Sequence, residues 1–177
     1  VVIGIIWRML LDESGAGIMA YAMSAFGARD PVFISAPLPA LIWVTIANIW
    51  RGTAFSMVMQ YAGMKTVPAE LYEAATVDGA GGWQKFAHVT LPSLRGITLI
   101  NLILVTIATL NTFDMVLPLT GGGPGRATEV VALYIYKLVF AEFSLGRGAA
   151  AAVLLMLVGL SLSLAYFRAL LRGAEAA

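Results

Sequence analysis

The residues able to do chemistry in this chain are few and widely spaced. His88 is the single histidine, and no carboxylate or second histidine stands at ligand spacing from it, so a solvated loop histidine explains it better than a metal ligand. The chain has no cysteine, which removes disulfides, thiolate metal sites and a cysteine nucleophile. Hydroxyls abound, but no local frame unites a serine with a histidine and an aspartate. Gly121, Gly122 and Gly123 lack a following lysine and so make no phosphate loop. What remains is binding chemistry. Arg51, Asn101, Thr109, Asn111, Thr112 and Asp114 stand in or beside apolar runs, as do Trp43 and Trp50. Amides and hydroxyls can hydrogen-bond a hydroxyl-rich solute, and an indole can stack on it.

The elements that hold these groups follow from composition. Of 177 residues, 60% are hydrophobic and 12% charged, with mean hydropathy +0.87. A soluble domain carries about 25% charged residues, and a water-exposed fold with half that supply would present large apolar patches. Lipid removes the conflict. The long uncharged runs Ile97–Phe113 and Gly148–Phe167 then point to spanning helices and an all-α polytopic membrane protein. The net charge of +1 leaves no electrostatic footprint for nucleic acid.

The chain opens inside an apolar run, Val1 to Trp7, with no basic leader or cleavage site ahead of it, so the run is not a signal peptide. At about 1.5 Å per residue, it is too short to cross a core of roughly 30 Å. It reads as the tail of a spanning helix whose beginning is missing. Asp12, Glu13, Gly15 and Gly17 close it. Residues 18–37, with Arg29, Asp30, Pro31 and Pro37, form either a loop with a short interfacial helix around 17–27 or a plain surface loop.

The first complete span covers 38–63. It places Arg51 near mid-membrane, where a cation costs about 2.5–3.5 kcal/mol. Two readings stand for Arg51: a residue of a solute pathway, or a structural ion pair within the bundle. The second span covers 96–118. On a helical wheel Asn101 and Thr112 lie about 20° apart, with Asn111 about 80° to the other side. This polar face turns inward, to line a pathway with Trp50 or Trp43 as platforms, or to bond neighbouring helices. Asp114 marks the far interface. A Gly/Pro loop follows at Thr120–Gly125, then a weakly helical stretch, 128–143, whose Tyr134, Tyr136 and Phe140 suit a membrane interface. The third span covers 146–169. Gly148 with Ala152, and Gly159 with Ser163, repeat small residues four apart, which permits close helix approach. Arg168 and Arg172 end it, and residues 173–177 fray.

Residues 65–95 break the apolar pattern with Lys65, Glu70, Glu73, Asp78, Lys85, His88 and Arg95. Pro68 suits a first helical position, Glu70 and Glu73 favour the positive N-terminal end, and Gly79 can close the helix in the left-handed region. Trp83 and Phe86 form the apolar edge of a second short helix, which Leu91-Pro92 is expected to stop. Positive charge divides almost evenly. Lys65, Lys85, Arg95, Arg168 and Arg172 fall on one side, and Arg29, Arg126, Lys137 and Arg147 on the other.

Glu73-Ala74-Ala75, three residues, Gly79, nine residues, then Val89-Thr90-Leu91-Pro92 resembles the signature loop of binding-protein-dependent ABC importer permeases. That signature reads Glu-Ala-Ala-x3-Gly-x9-Ile-x-Leu-Pro, and only its Ile is changed, to Val89. Val67 to Tyr72, Asp78-Gly79-Ala80 and the Thr120-Gly121-Gly122-Gly123-Pro124 loop resemble the carbohydrate branch. The resemblance spans essentially the whole chain. It implies the C-terminal part of a six-helix type I importer core, three complete spans plus the end of a fourth. Residues 65–95 would be a cytoplasmic coupling loop, and the C-terminus would be cytoplasmic too.

Glu73, Ala74, Ala75, Gly79, Leu91 and Pro92 match the positions that couple to an ATPase in that family, with Glu73 pairing a basic residue of the partner's cleft and Gly79 shaping the turn. The implied partners are an ATP-binding subunit dimer, a second homologous permease subunit, an extracytoplasmic solute-binding protein and inner-membrane lipid. ATP and magnesium would be held by the ATPase and no cofactor by this chain, which would be a non-catalytic transport subunit for a sugar or related polyol. The other classes compatible with the composition are an intramembrane enzyme, whose acid–base set would have to come from Arg51 and Asp114, and a membrane scaffold or channel.

Overall fold

The computed structural model describes residues 1–14, 16–27 and 31–174. Gly15, residues 28–30 with Arg29 and Asp30, and residues 175–177 lie outside it, as do the side chains of 169–174, Arg172 among them. The described residues are helical, without a strand. In order the helices are α1 (Val2–Leu10), α2 (Ile18–Ala25), α3 (Pro37–Met64), α4 (Ala69–Val77), α5 (Gly82–Lys85), a π-turn over Phe86–Thr90, α6 (Leu91–Ser93), α7 (Arg95–Leu110), α8 (Phe113–Thr120), α9 (Val131–Phe140) and α10 (Leu145–Ala174). Helix α2 decides for the helical reading of 17–27.

Among the described residues two helices are long and apolar enough to cross a membrane alone: Pro37–Met64, and Leu145–Arg168 within α10. They match the expected spans 38–63 and 146–169. Their outer faces carry exposed Leu41, Ile42 and Ile49 on α3, and Val153, Leu154 and Met156 on α10. Water would not tolerate that much exposed hydrocarbon; lipid does.

The expected single span over 96–118 is corrected: it breaks at Asn111-Thr112. The Asn111 amide donates to the Ile107 carbonyl at 2.9 Å, and the Thr112 hydroxyl reaches the carbonyls of Ala108 and Thr109 at 3.1 and 2.7 Å. Short polar side chains thus take the carbonyls that the next turn would have used. A second correction concerns Leu91-Pro92. Leu91 stays helical (φ −62°, ψ −45°) and its N–H reaches back five residues to Phe86. The wide π-turn accommodates the proline, whose ring and missing donor disfavour a regular α-turn. The bend falls after Ser93, where Gly82–Ser93 meets α7 at 64°.

The chain forms two compact units. The first holds Val1–Arg51 and Ile107–Leu160, the second Gly52–Thr106 and Ser161 onward. Leu11, Phe33, Met115, Leu119 and Leu133 make the fully buried centre of the first. Helix α1 packs on α8 through Gly4, where a β-carbon would stand 2.5 Å from the Met115 carbonyl oxygen. The Arg8 guanidinium donates to the Pro118 carbonyl at 3.2 Å, one of the acceptors left open at a helix C-terminus. Gly148 gives α10 a similar approach to Val139 of α9, 2.4 Å from a would-be β-carbon to Cγ2. Gly159 has only ordinary contact, so one of the two expected small-residue pairs makes a tight crossing.

In the second unit, α3 and α7 run antiparallel through successive rungs. Ser56 meets Asn101 at 3.3 Å and Gln60 meets Thr98 at 3.1 Å. Beyond them Gly63 admits Leu94 and Ile97.

Candidate functional site: a braced helical hairpin and a polar and aromatic group

Helix α4 begins with Pro68 at its N-cap (φ −58°, ψ 135°), one residue before the expected position. It ends as anticipated. Gly79 has φ +75°, the Gly79 N–H bonds Thr76 and the Ala80 N–H bonds Ala75 at 2.9 Å. That paired closure needs a left-handed residue, which glycine supplies without a Cβ penalty. Gly81 then starts the next helix, its N–H held by Gln84 Oε1 at 2.8 Å.

Two contacts tie the arms of this hairpin. The hydroxyls of Tyr72 and buried Thr90 share a hydrogen bond of 2.9 Å. Lys85 Nζ donates to Thr76 Oγ1 at 2.8 Å. Tyr72 and Thr76 therefore define the inner face of α4. By helical spacing Glu70, Ala74 and Val77 form the opposite face, with Glu73 at its edge, and all four are exposed. Glu70 and Glu73 have no ion pair among the described residues. Val77 is 88% and Trp83 78% exposed, with Trp83 against Phe86 at 5.6 Å. Ala75 is half-buried, Leu91 and Pro92 exposed. The hairpin is held firmly from within and presents small, acidic and apolar side chains outward, a surface suited to another protein.

The candidate pathway residues do not gather in one place. In the first unit, Arg51 Nη1 donates to Asp114 Oδ1 at 3.0 Å, both side chains about one-third exposed. Beside them, Trp50 meets Trp7 edge-on at 6.2 Å, and Trp43 meets Trp7 at 6.4 Å and Phe33 at 5.6 Å. Asn111, at the break, is exposed with its amide turned to its own helix. Asn101 belongs to the second unit, buried and bonded to Ser56. Among the described residues no three His, Asp or Glu side chains come together as a metal cage.

Two clusters were missed in the sequence. Trp7 stands within an apolar run, and Trp43 and Trp50, seven apart, offer it one helix face. The Gly-rich loop hides a buried carboxylate. Glu129, its side chain 6% exposed, pairs with Arg126 and with Lys137 at 3.0 Å. Thr120 and Thr128 close that loop hydroxyl to hydroxyl at 2.7 Å. Burial works to raise Glu129, but the hydrogen bonds from Arg126 and Lys137 outweigh it and hold the carboxyl below the usual range.

The long helices with apolar outer faces define a multi-spanning membrane protein. The chain belongs to the family described as binding-protein-dependent transport system inner membrane component, which it matches over residues 1–173. It is 34% identical over 165 residues to the trehalose/maltose transport system permease protein MalF of Thermococcus litoralis, covering 92% of this chain and 54% of that protein. It is 35% identical over 152 residues to the sulfoquinovosyl glycerol transport system permease protein SmoG of Agrobacterium fabrum, covering 86% and 49%. The chain thus spans about half the length of these relatives. Its fold is that of a bacterial ABC transporter involved in import of the acidic polysaccharide alginate, with TM-score 0.85 over 97% of this chain and 60% of that one at 24% identity.

Proposed function

We propose that this chain forms half of the translocation pathway of an ATP-binding-cassette importer for a sugar or related polyol, and that residues 68–92 couple it to a separate ATPase. The exposed face of α4, rigidly backed by the Tyr72–Thr90 and Lys85–Thr76 bonds, carries this reading. Glu73 pairs a basic residue of the ATPase, Ala74 and Ala75 allow close approach, Gly79 shapes the turn, and Leu91 with Pro92 sets the direction in which α7 leaves. Closure of the ATPase dimer moves the hairpin and switches the pathway between its inward and outward states. ATP and magnesium stay in the partner, and this chain performs no catalysis. The 65–95 loop and C-terminus face the cytoplasm. A second permease subunit completes the pathway, and an extracytoplasmic solute-binding protein delivers the solute.

The carbohydrate class rests on the relatives' named solutes and on the first unit's indoles and charged pair, Trp43, Trp50, Arg51 and Asp114, suited to stacking on and bonding hydroxyl-rich rings. Proteoliposomes holding the full transporter, its receptor and internal ATP test it with radiolabelled maltose, trehalose and glycerol glycosides. Uptake of at least one, abolished by omitting ATP, is expected. ATP-independent flux of small ions through the chain alone would overturn it.

A further inference from the structure

The coupling reading leaves open how displacement of α4 reaches a membrane helix. Helix α4 is followed by a turn at Asp78–Gly81, and Gly79, Gly81 and Gly82 surround that turn. Three glycines in four positions make a compliant joint. A push on the exposed face of α4 would dissipate there unless something bridged the arms. Two bonds do so. Lys85–Thr76 is exposed and lands on α5, only four residues past the turn. Tyr72–Thr90 is sheltered, Thr90 being 6% exposed, and it lands on the last residue of the π-turn. The Thr90 carbonyl accepts the Leu94 N–H at 3.0 Å, and the Leu94 carbonyl accepts the Thr98 N–H at 2.8 Å inside α7. A single phenol thus bypasses both the glycine joint and the π-turn and reaches the residue from which α7 is hung.

We propose that Tyr72, through its hydroxyl bond to Thr90, is the positioning residue that makes α4 and the base of α7 move as one body. The inference rests on the coupling-loop reading and adds to it a residue outside the Glu-Ala-Ala signature. Tyr72 has its hydroxyl on the inner face of α4, turned towards Thr90. It acts through Thr90, and the outward face of α4 is untouched when its hydroxyl is removed.

The test uses the full transporter, with spin labels on this chain at Leu71→Cys and Ile100→Cys, positions 46% and 44% exposed in a chain without native cysteine. Inter-label distances are recorded without nucleotide and with ATP plus vanadate. In the parent one distance population should persist in both states. In Tyr72→Phe and Thr90→Val a second population should appear under ATP–vanadate, lowering the braced-to-unbraced ratio about fivefold, as expected for one net hydrogen bond. Thr90→Ser should restore the single population, and the double variant should be no worse than either single one. A single unchanged population in Tyr72→Phe, or loss of the ATPase from the Tyr72→Phe complex, would overturn the proposal. Failure of the coupling reading shows separately, as a parent chain that retains no ATPase.

Discussion

Arg51 on α3 and Asp114 in the first turn of α8 stand 63 positions apart in sequence and meet at 3.0 Å. Neither has a charged neighbour within its own helical turn, and Asp114 also takes the N-terminal ammonium of Val1 at 3.3 Å. Because both side chains stay about one-third exposed, the pair is loose enough to open.

Arg51→Ala and Asp114→Asn are each expected to destabilise the chain in detergent, with the double variant less costly than the sum by about 0.5–1 kcal/mol, the scale of a part-exposed ion pair. Arg51→Ala should also lower uptake more than it lowers assembly. Equal loss of both would make the pair purely structural.

The glycines predict a graded series. Gly4→Ala drives a β-carbon to 2.5 Å from the Met115 backbone, which cannot move cheaply, and should cost about 1–3 kcal/mol. Gly63→Ala meets the flexible end of Ile97 at 2.6 Å and should cost less. Gly52→Ala meets nothing within 4 Å and should stabilise α3 by up to about 1 kcal/mol. Thermal unfolding of the three variants checks the order.

Glu13 predicts a pH dependence. One carboxylate oxygen accepts the N–H groups of Phe33, Ile34 and Ser35 at 2.6, 2.7 and 3.1 Å, tying the α1–α2 turn to the entry of α3. Burial works to raise this group, and the bonds from Ser35, Ile34 and Phe33 override it, holding it below the ordinary 4.5. Its contribution is therefore complete above 4.5 and is lost as pH falls through the depressed folded value. Glu13→Gln should cost about 1 kcal/mol at neutral pH and flatten the acid limb of the stability curve. An unaltered acid limb would contradict the anchor.

Gly79→Ala places a β-carbon at φ +75°, a left-handed conformation that costs about 1–2 kcal/mol. The turn should loosen, seen as faster amide exchange at Gly79 and Ala80. Because the space around Gly79 is open, a bulkier residue there should cost little more than alanine.

The elements legible in sequence were those governed by local chemistry. The apolar lengths of α3 and α10 and the proline–glycine ends of α4 follow from rules acting over a few residues. The break at Asn111-Thr112 was not legible, because apolar content hides two side chains that compete for carbonyls. Leu91-Pro92 read as a stop, whereas the π-turn absorbs the proline and moves the bend beyond Ser93. At the site, the signature residues of the hairpin could be named through the family resemblance that their types and spacing carry. The Tyr72–Thr90 brace, the Arg51–Asp114 pair and the place of Trp7 could not, since each joins residues that only the tertiary fold brings together.

The most direct measurement is retention of the ATPase on this chain when α4 is altered on its outer face alone. Affinity-tagged parent and Glu73→Lys transporter would be purified from membranes containing equal amounts of inserted chain, and the co-eluting ATPase quantified. The parent should carry its ATPase, and Glu73→Lys should lose most of it, since the substitution sets a cation where the proposed partner offers one. Equal ATPase on both, with solute uptake undiminished, would contradict residues 68–92 being the surface the motor holds.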